Sequence, residues 1–205
     1  MKLFLASRAA HPDTLNQINK EVGGLKNKKI AYIVTAGNGE GWGSWKSKTL
    51  EEVKKTGATV NIIQLEDYFN KNIKHDLEEN EIIWMVGGYA GYLMYWIKRV
   101  CLDLIMPELL KSRLYVGTSA GAWITSKTLD IAELYLDGPE RGATLLPGLG
   151  FVDFDIYPHY EDHLYDQIKK LYKGKKLYLL KNGEEIIVDD DKITVIGEER
   201  IITNE

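Results

Sequence analysis

Apolar residues run in short blocks along the chain, separated by polar and turn-forming stretches. Residues 3–6, 29–35, 59–65, 81–86 and 114–117 are runs of four to seven mostly apolar residues and read as strands. Between them the spacing predicts helices over 47–56, closed by Gly57, over 92–110 with a break at Pro107, and over 120–128. The polar stretch 72–79 reads as a turn. Further on, 151–157 reads as a strand ending at Pro158, and 162–172 as a helix. The closing segments 176–180, 185–188, 192–196 and 200–203 read as short strands joined by tight turns, forming antiparallel hairpins at one sheet edge. Strands that alternate with helices predict an α/β layered fold around a mainly parallel sheet. No internal repeat, low-complexity tract or long linker divides the chain, so 1–205 reads as a single domain.

Composition narrows the function classes. A hydrophobic fraction of 44% and a charged fraction of 27% suit a globular protein that builds a core without disulfides or metals. The net charge of −4, with lysines spread along the chain, argues against a nucleic-acid partner or an anionic membrane. Cys101 is the only cysteine, which excludes an intrachain disulfide and argues against a structural zinc site. Its apolar neighbours predict a buried small hydrophobe. The apolar run at 1–5 is cut short by Arg8, His11, Pro12 and Asp13, too early for a signal peptide, and no stretch reaches a membrane-spanning length. The expected compartment is the cytoplasm.

The candidate chemistry begins at Gly117-Thr118-Ser119-Ala120-Gly121-Ala122. A serine between two glycines, after a strand and before a helix, is the arrangement of a nucleophile elbow. The turn is tight enough to demand glycine on both sides. It also sets the serine at a helix N-terminus, whose N–H groups favour the oxyanion of acyl transfer. A plain helix N-cap is the competing reading of Ser119. A serine hydroxyl needs a base, and four histidines are available. His11 and His75 fall in polar loop or turn segments, and His163 at an exposed helix start. His159 follows a strand and Pro158 at the sheet edge where parallel-sheet sites collect, which makes it the preferred base. The pair Gly87-Gly88 ends another strand and could add an N–H to that of Ala120 in an oxyanion hole, or could be a simple turn. The glycine-rich stretch 37–43 lacks the spacing of a phosphate loop and reads as a mobile loop beside the site, with Trp42 and Trp45 either covering substrate or packing.

Taken together, Gly87-Gly88, the Gly-Thr-Ser-Ala-Gly-Ala string and Pro158-His159-Tyr160 resemble the peptidase E family of serine peptidases, which includes aspartyl dipeptidases and related cyanophycinases. The resemblance spans nearly the whole chain, to the closing hairpins at 183–197. It implies an α/β sandwich similar to class I glutamine amidotransferases, no metal or organic cofactor, and the chain order serine, histidine, acid. It also implies Gly88 and Ala120 as oxyanion donors and a short peptide as substrate. Three departures stand out. Asn182 occupies the place of the family's glutamate, with Glu184 as the alternative third member. Tyr89 replaces the usual Asn or Asp after the glycine pair and changes the wall of the substrate pocket. The arginine that holds an aspartate side chain has no counterpart after His159, where only Lys169 and Lys170 lie nearby, so aspartate specificity is not implied. Asn182 keeps open a binding or regulatory relative with weak catalysis. An esterase using Glu133 or Asp137 as its acid is a further alternative, whereas the serine at the elbow disfavours a glutaminase. The aromatic-rich stretch 89–96 suits either the core or a homodimer contact.

Overall fold

The structure, a computed structural model of the chain, describes residues 1–8, 10–38 and 44–204. In chain order its strands are β1 (Lys2–Ala6), β2 (Lys29–Ile33), β3 (Thr59–Ile63), β4 (Ile82–Met85), β5 (Leu114–Thr118), β6 (Asp155–Tyr157), β7 (Lys176–Leu179), β8 (Glu185–Asp189), β9 (Lys192–Ile196) and β10 (Ile201–Thr203). Seven of them form one sheet in the order β3-β2-β4-β5-β1-β8-β9, and β10-β7-β6 form a smaller one. The first five strands are mutually parallel, whereas β8 pairs antiparallel with β1 and β9 antiparallel with β8 to close the large sheet. This is the α/β class that the alternation predicts. β4 is buried along its whole length and β1 along all but Lys2, as expected of central strands covered on both faces. Phe4, Leu5, Ile30, Ile33, Trp84 and Tyr115 are fully buried at its centre.

Helices α1 (Pro12–Glu21), α2 (Thr35–Asn38), α3 (Ser44–Lys55), α4 (Lys74–Glu78), α5 (Ala90–Arg99), α6 (Leu102–Leu109), α7 (Ala120–Trp123), α8 (Asp130–Leu134) and α9 (Tyr165–Leu171) connect the strands. None among the described residues is long and apolar enough to cross a membrane. Trp42 lies outside the described residues, together with most of the glycine-rich stretch expected to form a loop; Trp45 falls in α3.

Several expected elements take other bounds, each for a physical reason. The helix predicted over 92–110 is two helices, and the break falls at Cys101 rather than Pro107. Cys101 adopts a left-handed φ of 57° and is exposed at the corner instead of buried, while Pro107 sits within α6 at the cost of one backbone bond. The helix expected over 120–128 stops after Trp123. The amides of Gly148, Leu149, Gly150 and Phe151 take the carbonyls of Lys127, Ile124, Ser126 and Thr125, so those carbonyls cannot continue a helix. The amides of Phe151 and Val152 both go to the Thr125 carbonyl and the Phe154 carbonyl accepts from the Ser126 hydroxyl, which holds this stretch out of a ladder and shortens the strand there to β6. The polar stretch expected to turn at 72–79 contains α4. The closing strands do not share one edge: β8 and β9 join the large sheet, and β7 and β10 join β6.

Candidate active site

The carboxyl ends of β1, β2, β4 and β5 meet at one edge of the large sheet, where parallel α/β folds place their ligands. Ala6 lies opposite Thr118 in the ladder and Met85 opposite Gly117, so Ser7, Gly87-Gly88 and Ser119 emerge at one level. The Ser119 amide donates to the Ala6 carbonyl at 3.1 Å, which ties the turn to the end of β1. Ser119 has φ 49° and ψ −111°, a strained conformation for a residue with a side chain. Both flanking glycines are required. A Cβ at Gly117 would lie 2.5 Å from the Gly121 carbonyl oxygen, and one at Gly121 would lie 2.3 Å from that of Met85. Gly88 has φ +135°, and its Cβ would lie 2.2 Å from the Ala36 carbonyl oxygen. Among the described residues no acceptor takes the N–H of Gly88 or of Ala120, the first residue of α7.

His159 and Asn182 come from the smaller sheet. They follow β6 and β7, a parallel pair, and Leu180 stitches the two exits together. Its amide donates to Tyr157 O at 2.9 Å and its carbonyl accepts from the Tyr160 amide at 3.0 Å. His159 also has positive φ, 53°. Its Nδ1 lies 2.7 Å from Asn182 Oδ1. Burial pushes the imidazole pKa below its usual value; the Asn182 bond opposes that shift, the Arg8 charge adds to it, and Asp137 works against it. Ser7 is buried between the two residues: it accepts a bond from the His159 amide at 2.8 Å and donates to Asn182 Oδ1 at 3.3 Å.

Ser119, His159, Asn182, Gly88 and Tyr89 line one cavity of about 520 Å³. Trp123 and Tyr135 supply its apolar wall, their rings in edge contact at 5.2 Å. Exposed Arg8 and Asp137 also line it, and neither forms an ion pair among the described residues. Glu140 borders the cavity with its carboxylate turned onto the start of α5, accepting from the amides of Ala90 at 2.6 Å and Gly91 at 2.8 Å.

The other candidates lie elsewhere. Glu184 is 2.8 Å from Arg200 Nη1 and accepts from the amides of Lys181 and Glu198. Glu133 accepts from Gly142, Thr144 and the Thr144 hydroxyl, away from His159. His75 and His163 are exposed beside Glu79 and Glu161, and His11 packs on Gly183. Lys169 and Lys170 are exposed on α9 and do not line the cavity. Ser7 and Arg8 escaped the sequence reading. The available signal was their position directly after β1, a strand whose neighbours in the sheet are distant in the chain.

The structure is thus an α/β fold with a serine at a strand-to-helix turn and a histidine on the same cavity at the strand ends. The chain belongs to peptidase family S51, the peptidase E family, whose model matches residues 3–196; it is a peptidase. An uncharacterised peptidase of Pasteurella multocida is 30% identical over 162 residues, 78% of this chain and 77% of that one. An uncharacterised peptidase of Listeria innocua is 28% identical over 93% of this chain and 94% of its own length. Two solved structures share the fold. One is a candidate peptidase E of Listeria monocytogenes EGD-e (TM-score 0.79, 24% identity, 95% of this chain and 97% of that one). The other is a peptidase from an acI-B1 actinobacterium (TM-score 0.69, 18% identity, 98% and 93%).

Proposed function

We propose that the protein is a serine-type peptidase that hydrolyses short peptides through an acyl-enzyme on Ser119, with His159 as general base. The observation that carries this reading is the His159–Asn182 pair, 2.7 Å apart, on the same cavity as a serine held at a strained elbow. In the proposed sequence Ser119 Oγ bonds to the scissile carbonyl carbon while its proton passes to His159 Nε2. The N–H groups of Gly88 and Ala120 hold the oxyanion, each worth about 3 kcal/mol of barrier. The C–N bond then breaks, and the leaving amine takes the proton from Nε2. Water repeats the sequence on the ester and restores the Ser119 hydroxyl. Asn182 serves as the third member, accepting from Nδ1–H without adding charge. Glu184 is unsuited to that place, because its carboxylate is engaged with Arg200.

Arg8 and Asp137 give the cavity a cation and an anion with no partner of their own among the described residues. Such a pair suits a short zwitterionic peptide, with the ammonium toward Asp137 and a carboxylate toward Arg8. Tyr89 at the rim adds a surface for the side chain at the cleaved bond. The test is a panel of dipeptides and aminoacyl-p-nitroanilides with wild type and Ser119→Ala. Cleavage that drops at least about 10³-fold in the variant is expected. Asn182 in place of a charged residue favours a second reading, a binding relative with weak catalysis. Silence across the panel, with no fluorophosphonate on Ser119, selects that reading over ours.

A further inference from the structure

Asparagine at the third position creates a problem that a carboxylate does not have. Its carboxamide has two ends of nearly equal size and opposite hydrogen-bonding character. With the oxygen toward His159, Nδ1 carries the proton and Nε2 is left free to accept one. With the nitrogen toward His159, Nδ1 must accept, the ring proton moves to Nε2, and the imidazole cannot act as a base toward Ser119. His159 and Asn182 alone do not choose between these states, because each is internally satisfied.

Ser7 breaks the tie. Its hydroxyl is fully buried and sits between the two residues. The oxygen already accepts from the His159 amide at 2.8 Å, and Asn182 Oδ1, at 3.3 Å, is the acceptor for its proton among the described residues. A flipped carboxamide would present N–H to that proton and leave a buried donor unpaired. The Ser7 backbone cannot turn away, because its amide is held by the Glu184 carbonyl at 3.2 Å. We infer that Ser7 is a positioning residue whose hydroxyl fixes the carboxamide of Asn182 with its oxygen toward His159 and so selects the Nδ1–H tautomer of the imidazole. The inference rests on the serine–histidine reading above for its catalytic meaning, but the tautomer itself can be read without turnover.

The experiment is two-bond ¹H–¹⁵N imidazole correlation on the full chain near pH 8, with His159 assigned by a His159→Gln variant, alongside kcat and KM. Wild type is expected as Nδ1–H. Ser7→Ala should move the tautomer ratio toward Nε2–H by about 5- to 100-fold, the equilibrium equivalent of an unpaired buried donor. It should lower kcat about tenfold with KM little changed. In an Asn182→Asp background, where both oxygens accept, Ser7→Ala should leave the tautomer in place and change kcat less than about twofold. A merely structural role for Ser7 would cost the same in both backgrounds, and that result overturns the inference. So does a Ser7→Ala spectrum identical to wild type. Should Ser7→Ala fail to fold, the wild-type spectrum still decides, since a dominant Nε2–H form refutes the selection. If Ser119→Ala leaves hydrolysis unchanged, the peptidase reading fails while the tautomer result stands.

Discussion

At the residue scale, two side chains in the site, Ser119 and His159, sit at positive φ, a conformation that most residues avoid. Each is held there by a bond to the end of β1: the Ser119 amide reaches Ala6 and the His159 amide reaches Ser7. The elbow is legible in the sequence because its constraints are local, glycine two residues either side of a serine. Ser7 and Arg8 are not, because what makes them neighbours of the site is the pairing of β1 with β5 across more than a hundred residues. Burial and Arg8 both depress the pKa of His159. In the proposed mechanism neutral imidazole is the acting form, so competence persists until pH falls through that depressed value. The acid limb of kcat/KM should therefore lie below 6.5, the ordinary histidine value. Arg8→Met should move that limb upward, and Asp137→Asn should move it downward. Superimposable pH–rate profiles for wild type and both variants would refute this account of the field around the base.

At the scale of elements, the segment that carries Asn182 is braced from outside the site. Glu184 Oε2 takes both the Lys181 amide and Arg200 Nη1 at 2.8 Å, and both side chains of the ion pair are only 13% exposed. This engagement makes Glu184 unsuited to the third place, for which the sequence offered it as the alternative to Asn182. Arg200 lies beyond the β8–β9 hairpin, and nothing in the local pattern signals that it claims the carboxylate. Removing the cation leaves a poorly solvated anion under the loop. Arg200→Met is expected to cost roughly 2 kcal/mol, a fall in Tm of about 4–8 °C. It should also lower kcat several-fold as the loop loosens. Thermal denaturation and kinetics on the same preparation check both; an unchanged Tm would mean the pair is a surface ornament. The central strands were legible for the opposite reason. Their apolar runs are long enough that no tertiary contact redirects them, whereas 120–128 lost its helix to carbonyl acceptors claimed by residues 148–151.

On the scale of the whole molecule, stability carries a pH signature of its own. Glu185 is buried on β8 opposite Ala6, with the Thr14 hydroxyl donating to it at 2.9 Å. Burial raises its pKa from 4.5 to about 7, with Asp13 and Glu184 adding to the effect and Thr14 opposing it. The folded state thus holds a proton that the unfolded chain releases. The stability it lends is complete below pH 4.5 and is lost as pH rises through about 7. Glu185→Gln, which keeps an acceptor for Thr14 and cannot ionise, should raise Tm at pH 8 by about 2–6 °C and flatten the slope between pH 5 and 7, about 1–2 kcal/mol after solvent screening. A variant whose Tm tracks wild type across that range would show that Glu185 ionises freely. The division of strands between two sheets, which the chain's pattern did not reveal, has a different kind of consequence. Ser119 is bolted to one plate, His159 to the other, and Asn182 rides on the strap between them. On the proposed mechanism, a small slip of one plate against the other disarms the site without melting a helix or unzipping a ladder. Turnover is therefore a stricter gauge of nativeness for this protein than any spectroscopic measure of its secondary structure.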